Sequence, residues 1–391
     1  MKRALGDSHN FGRRVSLRGS RVAKPRPLLW EWLLLSGESP LRRFLDRAAR
    51  EEGLPEESFA FLPTLAFSGE RSAEGGEVER IALEPLGRSR EVRRALAPIV
   101  GRAIALFSWL GVSDLHWENL VLGTDTRGHI VFAPLDVEMI LADLSLPTET
   151  KLLPAADEEY GEVCRHAAGV RRVLPYLGKP VDATSLLDMA TAYRGMLAFL
   201  DRRAPEIANV LDRLRGFRET PIRVCLRGTG DYVEPPEGLW PPLLEAELEQ
   251  LNRGDIPYFF RIYGRPGIRY YGDESLRQVK TTPMRGDVPH LDPLLQLSRN
   301  LRSPSRRSLR EEGLITLFGA FDHPSLTGRH SNAEMAVTVA ARSISFRFAN
   351  GEEVDARRDL SRFVGSVYLP CKCGEVRTVF VPAVTKCEAV A

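Results

Sequence analysis

Residues 114–138, DLHWENLVLGTDTRGHIVFAPLDVE, constrain this chain more than any other stretch. LVLG (120–123) and IVFAPLDVE (130–138) are apolar, β-prone runs, and the polar TDTRGH between them has the composition of a tight turn. The segment is therefore expected to be a loop, a strand, a turn and a second strand ending in acids. Asp114 and Asn119 stand five apart in the loop, and Asp136 closes the hairpin. Phosphoryl transfer asks for this order: a carboxylate that accepts a hydroxyl proton, then hard oxygen ligands returned to the same face to hold Mg²⁺. Asn119, Asp136 and Glu138 supply such oxygens. The blander alternative makes Asp114 a helix-terminus residue and Asp136-Val137-Glu138 a solvated strand end; the strand–turn–strand–acid context weighs against it.

Such a site also needs a cation and a backbone cradle for the nucleotide phosphates. Of the 54 basic residues among 391, only seven are lysines, and only Lys2 and Lys24 precede Asp114. Lys2 is almost terminal, which leaves Lys24. Residues 14–17 and 21–24 flank the turn Arg18-Gly19-Ser20 and read as a hairpin whose second strand Lys24 closes. The loop before it, GDSHNFGR, offers Gly6, Asp7, His9, Gly12 and Arg13 to cover the phosphates, although taken alone it is equally an ordinary surface loop. Glu31, in the apolar LLWEWLLL (28–35), is either a partner for Lys24 or an exposed helix residue.

Against 54 basic residues stand 52 acidic ones, so a net charge of +2 gives no field that drives the chain onto nucleic acid or an anionic membrane. No run approaches the roughly 18 apolar residues of a spanning helix, and MKRALGDSHN lacks the apolar centre of a signal peptide. The expected compartment is the cytoplasm. Five cysteines make a disulfide framework unlikely to be the design: Cys164 and Cys225 stand alone, and Cys371, Cys373 and Cys387 read as free thiols rather than half a zinc site. Periodicity predicts a short apolar helix or buried segment over 28–35, helices over 38–57, 90–110, 185–215 and from 245, a buried strand over 59–67, and a mobile loop over 148–154. Residues 223–233 read as strand, the basic run 302–312 as a helix start with a solvated face, and 334–381 as β. His129, His290, His323 and His330 read as solvated loop side chains.

Five segments, GDSHNFGRRVSLRGSRVAKPRPL, DLHWENLVLG, PLDVEMI, RVCLRGTGDYV and LNRGDIPYFF, resemble in this order the motifs of the dehydratase domain of class II lanthionine synthetases (the LanM type). The resemblance covers about residues 5–320. It implies a lipid-kinase-like domain that phosphorylates Ser and Thr of a ribosomally made precursor peptide, with ATP and Mg²⁺, and then eliminates the phosphate. By position, Lys24 matches the phosphate-contacting lysine, and Asp114, His116 and Asn119 match the catalytic-loop trio. Asp136 and Glu138 match the metal-binding D-x-E, and Arg223 with Thr229 the pair used in elimination, with Arg227 between them. β-Elimination from phosphoserine needs a base for the α-proton and a cation for the departing phosphate. Arg223 or Arg227 suits the second task, and Thr229 would orient the phosphate.

The expected architecture is α/β, of the α+β kind: a two-lobe lipid-kinase-like or protein-kinase-like fold. It would comprise an N-lobe (1–88), a hinge within 81–90, a C-lobe (89–333) and a β-rich extension (334–391). Because only about 70 residues follow the resembling region, a stand-alone dehydratase without the C-terminal cyclase is expected. Its partners would be the precursor peptide and a separate cyclase or other tailoring enzyme, with no nucleic acid and no transmembrane segment. Two further readings stay open: a peptide or small-molecule kinase without elimination, and a catalytically silent scaffold that binds the precursor.

Overall fold

The computed structural model describes residues 3–55, 57–70, 72, 74–144, 146–154, 168–178, 180–226, 229–233, 243–282, 301, 308–321, 324–358, 368–370, 376–378 and 384–386. Cys164, Arg227, His290, His323, Cys371, Cys373 and Cys387 lie outside the described residues. An antiparallel sheet opens the chain in the order β1-β2-β3-β5-β4, made of β1 (Arg3–His9), β2 (Arg13–Arg18), β3 (Arg21–Lys24), β4 (Phe67–Ser68) and β5 (Gly76–Glu79). Gly19, at φ 63°, closes the two-residue turn between β2 and β3, where a positive φ matches the twist of the strands. The register of β1 on β2 shifts between Leu5 and His9, and Gly6 lies in that irregularity at φ 69°. Residues 6–9, expected as loop, are therefore strand, and only 10–12 form the turn.

α1 (Leu29–Leu35) is buried on every side, as a helix apolar all round must be, and this carries Glu31 into the core. α2 (Pro40–Glu51) starts where Ser39 accepts the Arg42 N–H and Pro40 fills the first turn. Gly53, at φ 69°, follows its end, so the helix is shorter than the expected 38–57. The run 59–67 buries Phe59, Phe61 and Leu62 but in turns rather than a strand, since Pro63 has no N–H for a ladder; only Phe67 and Ser68 pair. α3 (Arg90–Trp109) begins at the Ser89 cap, runs to Leu110 and is followed by Gly111 at φ 63°. It lies along α4 (Ala183–Arg202), so close that a Cβ on Gly101 would collide with the Met189 carbonyl. α5 (Ala204–Asp212) follows.

The expected hairpin is present as β6 (Leu120–Thr124) and β7 (Ile130–Pro134), but the second strand ends at Pro134 and the acids 136–138 sit beyond it on irregular backbone. A second antiparallel sheet has the order β11-β10-β9-β8, from β8 (Pro221–Val224), β9 (Phe259–Ile262), β10 (Arg265–Tyr271) and β11 (Val279–Thr282). The expected 223–233 strand stops at Val224 and gives way to the short α6 (Thr229–Val233), in keeping with the glycines at 228 and 230. α7 (Glu245–Asn252) packs nearby, and Met139, Val224, Ala246, Phe259 and Ile268 form a small core that ties the chain after Glu138 to this sheet.

Further on, a π-helical turn (Ser308–Glu312) leads into α8 (Gly313–Ala320). The C-terminal sheet contains β12 (Gly328–Ser331), β13 (Met335–Val339), β14 (Ser343–Phe348) and β15 (Glu353–Arg358). A hairpin of β16 (Tyr368–Pro370) and β17 (Val376–Thr378) comes next, and β18 (Val384–Lys386) pairs with β15. Alternate residues Met335, Val337, Val339, Ile344, Phe346 and Phe348 join the main core, with Phe346 edge-on to Phe318 of α8 at 5.1 Å. The chain is a mixed α+β protein. No described helix is long and apolar enough to cross a membrane.

Candidate active site

The site is built around a strained loop. After α3, Gly111 packs so tightly on Ala142 that a Cβ would collide with its backbone. Ser113 N–H then donates to the Met139 carbonyl (2.9 Å), Ser113 Oγ to the Glu149 carbonyl (2.9 Å), and Leu115 N–H to the Thr150 carbonyl (2.9 Å). Between these anchors Asp114 takes φ 65°, a left-handed backbone that residues with side chains adopt where their surroundings enforce it, often at functional sites. Asn119 Nδ2 donates to the Asp114 carbonyl (2.9 Å) and to Asp114 Oδ2 (3.2 Å). Leu135 N–H donates to the Asn119 carbonyl (2.7 Å), which brings the end of β7 beside the loop.

The segment 148–154, expected to be mobile, contains a buried 3₁₀ turn, Pro147–Thr150, braced by the Leu146 N–H on Glu149 Oε2 (2.7 Å). The reason is packing: Leu152 and Leu153 are fully buried, and every residue of the turn is buried with them. The turn delivers Lys151 to the loop, with Nζ 2.7 Å from Asp114 Oδ1. Burial alone would raise the Asp114 pKa, but the Lys151 ammonium, with His116 and Arg223, outweighs it and holds the carboxyl below its usual range. Asp114 is thus a carboxylate at neutral pH.

A chain of alternating charge crosses the site. Lys24 Nζ donates to Glu31 Oε1 (2.8 Å) and to the Leu135 carbonyl (2.7 Å). Arg26 pairs with Glu31 and with Asp136, and its Nε lies 3.2 Å from Glu138 Oε2. Arg223 Nη1 donates to Glu138 Oε1 at 2.9 Å, while its backbone N–H donates to the Glu138 carbonyl at 3.0 Å. Burial pushes the Asp136 pKa up, yet the Arg26, Lys24 and Arg223 charges prevail and hold it at about 2.

The Mg²⁺ that the resemblance implies would meet three oxygens here. Asn119 spends its amide nitrogen on Asp114, leaving Oδ1; Asp136 is 32% exposed; and Glu138 Oε2, ion-paired with Arg26, is buried and accepts no hydrogen bond among the described residues. No three His, Cys, Asp or Glu side chains group as a metal site among the described residues. Two carboxylates and an amide oxygen are hard donors of the kind Mg²⁺ takes alongside water and substrate phosphates, and Asp136 and Glu138 are both held at Arg26.

The turn expected to cradle phosphates is occupied by the protein itself. Asp255, after α7, accepts from Ser8 Oγ (2.7 Å), Phe11 N–H (2.6 Å), Gly12 N–H (2.9 Å) and Arg253 Nε (2.9 Å). The Phe11 and Gly12 amides are therefore already used. Arg13 turns away to the Glu274 carbonyl (3.0 Å) and the Glu74 carbonyl (3.4 Å), and Gly6 and Asp7 are exposed. His9 is the member of this group that faces the charged network: its Nδ1 donates to the Ile256 carbonyl (2.8 Å), and burial together with the Arg223 cation lowers its pKa below 6.5.

Of the two residues assigned to elimination, Arg223 lies in the network and Thr229 does not. Thr229 is exposed at the start of α6, and no contact among the described residues joins it to the cluster. His116 Nδ1 stands 4.0 Å from Glu118 Oε2, at the edge of the loop. Neither the protein-family models nor the curated proteins compared with the chain match it. Sequence reasoning missed four residues that the structure brings in. Arg26, two past Lys24, was hidden among many arginines, and Asp255 lies in the motif LNRGDIPYFF, to which no residue role was assigned. Tyr258 stacks beneath Arg223, with its ring centroid 5.4 Å from the guanidinium carbon. Lys151 could have been found by the lysine scarcity that singled out Lys24. Two of the four histidines read as solvated are engaged: His129 lies 3.4 Å from both Glu57 and Asp125, and His330 Nε2 is 2.9 Å from the Leu326 carbonyl.

Proposed function

We propose that this chain is a peptide dehydratase that uses ATP and Mg²⁺ to phosphorylate Ser or Thr of a ribosomally made precursor and then expels the phosphate by β-elimination. The observation that carries the reading is the convergence of Asp114, Asn119, Asp136, Glu138, Lys24 and Arg223, drawn from four separate segments, into one hydrogen-bonded and ion-paired cluster. On this reading the first sheet with α1 and α2 is the smaller lobe of a kinase-like fold, and the cluster lines the cleft beside it. The compartment that supplies ATP and newly made peptide is the cytoplasm.

Asp114, ionised and held at fixed geometry, accepts the hydroxyl proton as the oxygen attacks the γ-phosphorus. Lys24, fixed between Glu31 and the Leu135 carbonyl, presents positive charge toward the nucleotide phosphates. Asn119, Asp136 and Glu138 would hold Mg²⁺, which supplies charge neutralisation between the phosphates. In the second step the Cα proton leaves to a base, its electron pair forms the Cα=Cβ bond, and the Cβ–O bond breaks with its pair on the departing phosphate. Arg223 stabilises that phosphate.

The position of Thr229, exposed and outside the cluster, favours one other reading: a kinase that stops at the phosphopeptide. One experiment tests both. A Ser/Thr/Cys-rich peptide encoded beside this chain is incubated with the protein, ATP and Mg²⁺ and weighed. Dehydration removes about 18 Da per site and phosphorylation alone adds about 80 Da, by the balance of the two steps. An unchanged mass for every neighbouring peptide tested would contradict both readings.

A further inference from the structure

Four cations stand around Asp114, Asp136 and Glu138, and they differ in how far their charge is already used. Lys24 and Arg26 are each 8% exposed; Lys24 is fixed by Glu31 and a carbonyl, and Arg26 lies among three carboxylates. Arg223 is 18% exposed and bound to Glu138. Lys151 is 50% exposed and, among the described residues, donates to a single carboxylate oxygen, Asp114 Oδ1 at 2.7 Å. An ammonium has three donors, so two are left over from the bond to the group that would deprotonate the acceptor hydroxyl. A side chain that merely neutralised Asp114 would need no fixed backbone, yet Lys151 has one. Its φ is 62°, its N–H donates to the Thr148 carbonyl (2.9 Å), its carbonyl accepts the Gly169 N–H (3.0 Å), and the preceding Thr150 carbonyl holds Leu115 beside Asp114. Asp114 and Lys151 are thus two left-handed residues joined by their side chains and flanked by a main-chain bond between their neighbours Leu115 and Thr150.

We infer that Lys151 is a further catalytic residue of the phosphoryl-transfer step, its Nζ touching the transferring phosphoryl group while that group lies beside Asp114. The inference rests on the proposed function and adds to it. In the transfer, the acceptor oxygen bonds to the γ-phosphorus, the bond to the ADP oxygen breaks, and the hydroxyl proton passes to Asp114. Charge spreads over the three equatorial oxygens of the phosphoryl group, and Lys151 meets one of them. Asp114, on gaining the proton, ceases to compete for the ammonium, so Lys151 is released toward the phosphate at the moment the charge develops.

The role is read without a peptide, by calorimetry of the whole chain with Mg²⁺ and ADP, in the absence and presence of aluminium fluoride, which mimics a phosphoryl group in flight. The parent is expected to bind Mg·ADP with aluminium fluoride at least about tenfold more tightly than Mg·ADP alone. K151M is expected to bind Mg·ADP as the parent does and to lose that increment; K151R, which keeps a cation, is expected to retain part of it. Met at 151 has the same left-handed backbone to adopt as Lys, and the site is half exposed, so unfolding is not expected; a melting curve superposable on the parent's verifies it. An increment kept in K151M, or lost equally in K151R, would overturn the inference while leaving the proposed function standing. A parent that binds no Mg·ADP would overturn the proposed function and this inference with it.

Discussion

Glu31 shows how a single residue can set a site. It is 1% exposed in an all-apolar helix, and its carboxylate is the anion shared by Lys24 and Arg26. Removing one member of a buried ion pair leaves an uncompensated charge, so Glu31→Gln should destabilise the protein by about 3–5 kcal/mol in urea unfolding. The Asp136 carboxyl has a depressed pKa, about 2 against an ordinary 3.8. Its carboxylate stabilises the folded state above pH 3.8, and that contribution is lost as pH falls through 2. Asp136→Asn should therefore flatten the decline of melting temperature between pH 4 and 2, as measured by calorimetry; a slope equal to the parent's would show that the Arg26 pairing is not felt in solution. At this scale the sequence was legible where residue types are scarce. Lys24 stood out because lysine is rare, whereas Arg26 could not, because 47 of the 54 basic residues are arginine.

Among elements, those with a local cause were legible and those with a tertiary cause were not. α3 has its Ser89 cap, its apolar stripe and Gly111 after it, and the β6–β7 hairpin has apolar strands around a polar turn. The 59–67 run is apolar enough for a strand, but Pro63 and the burial of Phe59 and Phe61 favour turns that fit the core. Residues 148–154 contain polar groups that suggest a loop; only the packing of Leu152 and Leu153 and the bond from Leu115 to Thr150 make them rigid. The contact of α3 with α4 carries its own prediction. Gly101→Ala pushes a methyl group into the Met189 carbonyl and should cost about 1–3 kcal/mol by forcing the helices apart, read as a lower urea midpoint. An unchanged midpoint would mean that the two helices part without cost.

At the scale of the molecule, the α+β class was legible from the mixture of periods and six members of the cluster from the ordered motifs, whereas the pairings that join them through Arg26 and Lys151 were not, because residues up to about two hundred positions apart meet only in three dimensions. The turn of β1 on β2 illustrates the gap: its glycines suggest a phosphate cradle, yet Asp255, 243 residues away from Gly12, takes the amides. If one cleft performs both proposed steps, its residues must separate by step. The most direct measurement is the intact mass of the neighbouring peptide after incubation, with ATP and Mg²⁺, with the parent, Asp114→Asn and Arg223→Gln. The parent should yield species lighter by about 18 Da per site, Asp114→Asn should slow all modification by about a hundredfold or more, and Arg223→Gln should accumulate species heavier by about 80 Da. Products from Arg223→Gln identical to the parent's, or full activity in Asp114→Asn, would contradict a phosphorylating and eliminating site at this cluster.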